Sequence, residues 1–294
     1  MTTPEQAPGF PEVVRVVAPN PGPMTLAGTN TYIVGRDPAY VIDPGPQDAR
    51  HIDAIRAAAD DRGGIAGVLL THSHFDHSAG VAALGAPLLW GRVDQGDEGD
   101  ALAAAAAALA RGEVGAAETS AEEPAFEVGP FTATPTPGHA TDHVAFAITN
   151  PLLPGIVTAK GGFAPAGGGV VFCGDLILGK GSSIVPPAAG GGSLPDYLRS
   201  LERLAALDAS LLAPGHGPWI TDPAAKIAEY TAHRLDRERK LLEALEGGER
   251  SREALLDAAW SDVPPHLRIA AALAMQAQIE KLTAEGRMPP ESLR

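Results

Sequence analysis

Three histidines and one aspartate within six residues place the strongest constraint on the fold of this 294-residue chain. They form the motif HSHFDH at positions 72–77, directly after an apolar run at 67–70 that predicts a strand buried on both faces. In an extended loop the side chains of His72, His74 and Asp76 would point the same way, and His77 would turn toward a neighbouring point. The motif therefore predicts two adjacent metal ions at the end of a strand.

More candidate ligands follow later in the chain, each just after a predicted strand or at a tight turn. They are His139 in TPGH, Asp175 in FCGD and His216 in PGHG, with His143 four residues after His139. Imidazole nitrogen combined with carboxylate oxygen favours zinc, and it is also compatible with iron or manganese. Because Cys173 is the only cysteine in the sequence, it cannot form an internal disulfide, and a zinc module built on a cysteine cluster is excluded. It is expected to be a small buried apolar residue.

Short β-rich runs alternate with helical patterns up to about residue 222, which predicts an α/β domain. The predicted strands cover residues 31–34, 40–43, 67–70, 88–90, 131–135, 144–148, 170–173 and 211–213, and the predicted helices cover 48–59, 101–110 and 194–207. The first two strands should form a hairpin around the turn at 35–38. A Gly/Pro-rich connection at 151–169 should be a surface loop.

From residue 223 the pattern is helical only, with helices expected at 224–246, 252–260 and 266–285. We therefore predict a catalytic domain at 1–222 and a second domain at 223–294. The first of these helices carries a basic run, Arg234, Arg237, Arg239 and Lys240, interleaved with Asp236 and Glu238. This alternation favours a solvated, ion-paired helix face over an RNA-binding surface. His51, His233 and His266 have no partner spacing and are predicted to be structural or solvent-facing.

Charge and hydropathy narrow the classes of protein. Thirty-six acidic against 22 basic residues give a net charge of −14, which disfavours binding to a polyanion. The sequence contains no apolar run of about 20 residues, and its first residues lack a basic start and an apolar core. These features predict a cytoplasmic protein without a membrane span, and they leave the oligomeric state open.

The motifs HSHFDH, TPGHATDH, CGD and PGHG, in this order, resemble the metallo-β-lactamase superfamily over residues 20–220. The resemblance implies an αββα sandwich with the site at one edge of two facing sheets. It also implies how the ligands divide. One ion would be held by His72, His74 and His139, the other by Asp76, His77 and His216, with Asp175 bridging them.

The segments NPGPMTLAGTNTYIVG at 20–35 and GDLILGKGSSIV at 174–185, and the basic helix after PGHGPWI, resemble the beta-lactamase-like protein 2 family. That resemblance implies a winged-helix-like C-terminal domain. The family includes a single-stranded RNA endonuclease, and similar catalytic domains act as thioesterases. It therefore implies either single-stranded RNA or a small-molecule ester or thioester as substrate.

These patterns predict a zinc-dependent hydrolase with two ions per chain, in which a hydroxide bridging the ions attacks a carbonyl or phosphoryl centre. Asp76 and Asp175 are the expected catalytic carboxylates. RNA cleavage is the leading hypothesis, and thioester or ester hydrolysis, like that of a glyoxalase II or an acyl thioesterase, is the alternative. A non-enzymatic nucleic-acid-binding module is disfavoured, because a structural zinc site closes with four ligands and seven are present. Candidates for substrate contact or ligand support are Asn30, His143, Lys180, Ser182 and Ser183.

Overall fold

The computed structural model describes residues 3–93, 123–148 and 168–288. Its first sheet has six strands in chain order, with β4, β5 and β6 parallel to one another and the remaining neighbours antiparallel. These strands are β1 Glu5–Ala7, β2 Phe10–Val17, β3 Asn30–Val34, β4 Ala39–Ile42, β5 Ile65–Leu69 and β6 Leu88–Trp90.

The second sheet has five strands in the order β11-β10-β9-β8-β7, and only β10 and β11 are parallel. Its strands are β7 Phe126–Val128, β8 Phe131–Pro135, β9 Val144–Ile148, β10 Val170–Gly174 and β11 Leu211–Pro214.

Alternation along the strands builds four layers. In β3, Tyr32 and Val34 face the second sheet, whereas Ile33 packs outward on the first helix of the chain. In β10, Phe172 points into the core between the sheets and Val171 points outward. Because successive side chains of a strand point to opposite faces, each sheet buries one face against its partner and the other beneath helices.

The helices cover the outer faces and then continue into a separate cluster. They are α1 Ala49–Asp60, α2 Phe75–Ser78, α3 Val81–Leu84, α4 Leu194–Ala206, α5 Pro223–Glu246, α6 Arg252–Ala259 and α7 Arg268–Ala284. Four of them begin at capping residues whose side chains accept backbone N–H bonds, namely Asp48 for α1, Ser193 for α4, Asp222 for α5 and Ser251 for α6. Helices α5, α6 and α7 share a fourth apolar core that includes Leu241, Leu255 and Ile279.

The αββα sandwich and the helical C-terminal region are thus confirmed. Each predicted strand or helix within the described residues matches an observed one to within two residues. The last helix begins at Arg268, after a short 3₁₀ turn at Pro265–Leu267. The strands β1, β2 and β7 and the one-turn helices α2 and α3 were not predicted. The predicted helix at 101–110 and most of the connection at 151–169 lie outside the described residues. Within 223–288 all regular elements are helical, so the winged-helix assignment and the domain boundary at 222 remain predictions.

Candidate metal centre

The seven predicted ligands lie together at one edge of the sandwich, where strands of both sheets end. The HSHFDH motif follows β5, His139 follows β8, Asp175 follows β10 and His216 follows β11. Their donor atoms form three overlapping groups in which all atoms lie within 4.8 Å of one another. Six of the seven residues are buried, and His74 is partly buried. The fold therefore brings together ligands separated by up to 144 residues in sequence.

One group consists of three imidazoles. His74 Nδ1 lies 3.0 Å from His72 Nε2 and 3.2 Å from His139 Nε2. The second group combines Asp76, His77 and His216, with His216 Nε2 3.2 Å from Asp76 Oδ2. Three nitrogen or oxygen donors converging on one point suit a tetrahedral ion that keeps one position open.

Asp175 lies between the two groups. Its carboxylate is 3.6 Å from His77 Nε2, 3.3 Å from His216 Nε2 and 3.8 Å from His139 Nε2. The neighbouring Gly215 has no side chain at a point where a Cβ would overlap Asp175 Oδ1. Glycine in the PGHG turn therefore lets the β11 end approach the carboxylate closely.

The local path of the motif differs from the predicted extended loop. The chain is extended at His74 but turns into the one-turn helix α2 at Phe75. Asp76 consequently groups with His77 and His216 and not with His72 and His74. The expectation that His72, His74 and Asp76 point the same way was wrong, because it assumed strand periodicity beyond residue 74.

Hydrogen bonds to the outer ring nitrogens fix the imidazole tautomers. His139 Nδ1 donates to the Ile184 carbonyl at 2.8 Å, and His216 Nδ1 lies 3.3 Å from the Gly28 carbonyl. His77 Nδ1 lies 3.0 Å from the Asp43 carboxylate. An acceptor on Nδ1 places the proton there and leaves the Nε2 lone pair for a metal. The three rings thus present ligating nitrogens to the centre of the site.

Asp43 is a supporting residue that the sequence analysis did not identify. Its carboxylate accepts from Thr71 N at 2.8 Å and Thr71 Oγ1 at 2.7 Å, besides His77. Since the Thr71 hydroxyl proton goes to Asp43, the same oxygen is left to accept from His72 Nδ1 at 3.0 Å. A single buried carboxylate therefore orients two candidate ligands. The one feature of the sequence that could have identified Asp43 is its place in the DPG turn that follows β4.

Two of the residues predicted to contact substrate or support the ligands, Asn30 and Ser183, hold the loops that carry the ligands. Asn30 Nδ2 donates to the carbonyls of Pro214 and Gly217 at 2.8 and 2.9 Å, which fixes the turn that carries His216. Ser183 Oγ donates to the Asp175 carbonyl at 2.6 Å. Thr29, absent from the sequence-based set, donates to Asp76 Oδ2 at 2.9 Å.

The remaining candidates have different surroundings. His143 is buried behind the site, where its ring centroid lies 5.1 Å from that of His72 and its Nδ1 is 2.8 Å from Thr136 Oγ1. Lys180 and Ser182 are exposed, and Ser182 borders the site cavity. Cys173 is fully buried, as expected.

In the histidines of the site, burial lowers the pKa and neighbouring carboxylates raise it. Burial, with the neighbouring imidazoles, holds the pKa of His72 well below its usual range. Burial also lowers the pKa of His216, but the Asp175 and Asp76 carboxylates outweigh it and raise that pKa to about 10. The carboxylates of Asp76, Asp175 and Asp43 likewise raise the pKa of His77 well above its usual value against the effect of burial. The buried carboxylates thus favour positive charge beside them.

The donor set fits a divalent cation on these grounds. Among the described residues, His77 Nε2 and Asp175 Oδ1 are buried atoms without a hydrogen-bond partner, and they face each other at 3.6 Å. Buried polar atoms are normally satisfied, so such a pair calls for an additional partner. A cation between them would meet that need.

A cavity of about 580 Å³ opens from the ligands toward the C-terminal helices. His74, His139, Asp175 and His216 line one side, and side chains between residues 260 and 274 line the other. His233, predicted to be structural or solvent-facing, is half-buried and also borders this cavity. The sequence could not predict this position, because the side of the cavity next to His233 is formed by residues 260–274, a distant segment of the chain.

The basic run on α5 divides into two kinds of residue. Arg239 is exposed and Lys240 is half-buried, and both pair with acidic residues of their own helix, Asp236 and Glu243, as predicted. Arg234 and Arg237 are buried, so the predicted solvated face was wrong for them. Arg234 donates to the Ser183 carbonyl, and Arg237 donates to both carboxylate oxygens of Asp262. Neighbours from other segments decide which arginines are buried.

Comparison with known proteins gives a consistent result. A family model described as the metallo-beta-lactamase superfamily matches residues 24–151. A beta-lactamase-like protein 2 homolog of Caenorhabditis elegans is 29% identical over 93% of this chain and 85% of its own length. An atrochrysone carboxyl ACP thioesterase of Aspergillus fumigatus is 31% identical over 84% of this chain and 69% of its own length.

The fold has close counterparts among solved structures. A metallo-beta-lactamase family protein of Thermus thermophilus superposes with a TM-score of 0.64 at 25% identity, covering 94% of this chain and 95% of the other. No helix in the described part of the chain has both the length and the apolar character needed to cross a membrane.

Proposed function

Because this chain belongs to the metallo-beta-lactamase superfamily and is a metal-dependent hydrolase, we propose that it hydrolyses thioesters of small apolar acyl groups. The observation that carries the proposal is the cavity, which joins the ligand cluster to an apolar wall formed by Trp260, Val263 and Leu267. Such a cavity suits a small ligand with an apolar part next to the reacting bond. Relatives named as thioesterases support the same substrate class.

In this proposal His72, His74 and His139 would hold one ion, Asp76, His77 and His216 would hold the other, and Asp175, which lies between the two groups, would contribute to both. We propose zinc for both, since the nitrogen and oxygen ligand set favours it while admitting iron or manganese. When bound, two such ions supply Lewis acidity and lower the pKa of coordinated water toward neutrality. Asp76 and Asp175 are the carboxylates nearest the reaction.

The chain's own residues would orient the reactants. Asp43 and Thr71 hold His72 and His77 in their ligating tautomers, and Ser183 and Ile184 hold the loop against Asp175 and His139. The apolar wall would exclude water from the acyl side of the bond. The departing thiolate has a conjugate acid with a pKa near 8.5, so it leaves without a strong acid beside it.

RNA cleavage, the leading hypothesis from the sequence, has less support. The net charge of −14 opposes binding of a polyanion, and Arg234 and Arg237 are engaged within the protein. We therefore treat RNA as the competing outcome of the same test.

The test uses purified protein reconstituted separately with zinc, iron and manganese, and follows thiol release from a panel of acyl-coenzyme A thioesters. Hydrolysis should stop on chelation, and His72→Ala and Asp175→Ala should each lose at least about a hundredfold in rate, as when one stabilising group of an active site is removed. Asp53→Ala, an exposed carboxylate on α1, is the matched control and should retain the wild-type rate. Metal analysis should give two ions per chain, and less than half an equivalent would refute the binuclear site.

An unstructured RNA is assayed in parallel at two salt concentrations. Metal-dependent RNA cleavage that weakens with salt, together with no thioester hydrolysis, would replace the proposal, because each phosphate contact on a single strand contributes a log–log salt slope of about −0.7.

A further inference from the structure

A histidine of α5 borders the cavity next to its apolar wall. Trp260, Val263, Leu267 and Ala270 line that wall, and His233 of α5 borders the same cavity beside Arg237. The ligands His139, Asp175 and His216 face it from the other side, so any molecule reaching from the metal centre into the cavity meets both surfaces. An apolar pocket with a few placed polar groups is the usual design of a specific small-molecule site.

The tautomer of His233 is set by its neighbour. Arg237 Nε lies 3.3 Å from His233 Nε2 and donates to it. A guanidinium has no acceptor and keeps its protons, so Nε2 must supply the lone pair. The ring proton of a neutral His233 therefore sits on Nδ1, which lies 3.5 Å from Ser182 Oγ.

Arg237 is itself held firmly, which keeps this arrangement fixed. Both of its terminal nitrogens donate to the Asp262 carboxylate, at 2.6 and 2.8 Å, and its guanidinium carbon lies 5.6 Å from the centre of the Trp260 ring. Arg237 therefore contacts both the wall residue Trp260 and the ring nitrogen that sets the tautomer of His233.

His233 is also neutral at physiological pH. Burial, followed by the positive charges of Arg234 and Arg237, lowers the pKa of His233 to about 4. A neutral N–H donor in an apolar wall favours an uncharged oxygen acceptor over a carboxylate, because it brings no full charge to pair with one. Ser182 is exposed and at the outer limit of hydrogen-bond distance, so it competes weakly for this donor.

We propose that His233 positions the acyl group by donating its Nδ1–H to a neutral oxygen on that group, while the wall around Trp260 holds the hydrocarbon. The inference rests on the proposed thioesterase function and narrows its substrate to acyl groups that carry a keto or similar oxygen away from the thioester. A plain hydrocarbon acyl group of the same length would fill the cavity without offering His233 that acceptor, which disfavours it.

The test compares octanoyl-coenzyme A with its 3-oxo, 5-oxo and 7-oxo derivatives on the zinc-reconstituted full chain. The kcat/KM of the best oxo substrate should exceed that of octanoyl-coenzyme A about tenfold, the effect of about one net hydrogen bond. In His233→Phe this ratio should fall to near one. His233→Asn, whose amide N–H takes the place of Nδ1–H, should restore most of the ratio, and His266→Gln, an exposed histidine, should keep the wild-type ratio.

A second measurement does not depend on turnover. ¹⁵N NMR of the His233 ring at pH 7 should show a protonated Nδ1 and an unprotonated Nε2. A protonated Nε2 would overturn the inference, as would thioester hydrolysis with no preference for any oxo substrate or an equal loss on all substrates in His233→Phe. Absence of all thioester hydrolysis in the wild type would instead overturn the proposed function and, with it, the substrate inference.

Discussion

Asp43 lies outside the candidate ligand set, yet it contacts His77 directly and His72 through the Thr71 hydroxyl. Its backbone is in the left-handed region, with φ +51, where aspartate and asparagine are the residues most readily accepted apart from glycine. The position therefore combines a tight turn at the end of β4 with a buried carboxylate aimed at two imidazoles.

Asp43→Asn should weaken metal binding while leaving the fold intact. Asparagine tolerates the same φ, but its amide cannot accept from three donors as the carboxylate does, so His72 and His77 lose part of their orientation. We expect the apparent Kd for zinc to rise about 10- to 100-fold, measured by competition with a chromophoric chelator. Asp53→Asn on α1 removes the same charge at an exposed site and should leave the Kd unchanged. An unaltered Kd in Asp43→Asn would show that this carboxylate does not tune the ligands.

The candidate metal ligands could be predicted from the sequence, whereas the residues that support them or line the cavity could not. Histidines and aspartates clustered behind strands are rare, so His72, His139 and Asp175 were recognisable from motif and spacing alone. Asp43 and His233 were not, because an ordinary aspartate at a turn and a lone helical histidine gain their roles only from neighbours supplied by other segments.

At the level of elements, α5 connects the ligand loops to the C-terminal helices. Arg234 reaches the Ser183 carbonyl, and Tyr230 Oη accepts from Leu178 N at 2.9 Å and donates to the Gly181 carbonyl at 3.0 Å. The loop after Asp175 is therefore fixed from the side of α5. Arg237, one turn further along, fixes the end of α6 through the Ala259 carbonyl.

Arg237 and Arg239 offer a matched comparison on this helix. The Arg237 side chain is 6% exposed, whereas that of Arg239 is 55% exposed and pairs only with neighbours on its own helix. Arg237→Ala should lower the free energy of unfolding by about 2 kcal/mol, because it leaves the Ala259 carbonyl without this donor, while Asp262 can rehydrate. Arg239→Ala should cost less than about 0.5 kcal/mol. Urea denaturation measures both, and equal losses would contradict the assignment of Arg237 as a buried clamp.

Hydrophobic periodicity predicted most elements because each strand or helix buries one face. The run at 67–70, for example, became β5, whose last residues Val68 and Leu69 are fully buried. The strand pair β1–β2 was missed because Pro8 and Gly9 interrupt it and Pro11 follows closely. The division of α5 into buried and exposed arginines was also missed, since alternating charges look the same in sequence whether or not another helix covers them.

At the scale of the whole molecule, α5 belongs to two cores. Ile227 and Tyr230, near its start, pack with Leu176, just after β10, and with Tyr197 of α4. Leu241 and Leu245, near its end, pack with α6 and α7. Further contacts link the same two regions: Ala277 of α7 joins the first of these cores, and the Glu280 carboxylate accepts from Ala188 N at 2.9 Å. Because this 24-residue helix packs in both cores, unfolding of one core would remove contacts that stabilise the other.

We therefore expect the chain to unfold as one cooperative unit, although its composition divides at about residue 222. Two single-tryptophan variants provide local probes. Trp219 packs against Tyr32 between the sheets, with ring centroids 5.2 Å apart, and Trp260 lies in the C-terminal core. Replacing the other two tryptophans by phenylalanine in each case leaves one reporter per region.

In urea, the fluorescence midpoints of the two variants should coincide with each other and with the midpoint from circular dichroism of the same protein, since coincident transitions are the signature of two-state unfolding. Each variant's stability is first compared with wild type by circular dichroism, so that a shift caused by the substitutions is not mistaken for independent unfolding. The m value should match that of a single unit exposing the surface of the whole chain, because m grows with the area exposed on unfolding. If Trp260 instead reports an earlier transition with a smaller m value while Trp219 stays folded, the C-terminal helices form an independent domain, and the boundary at 222 divides stability as well as sequence.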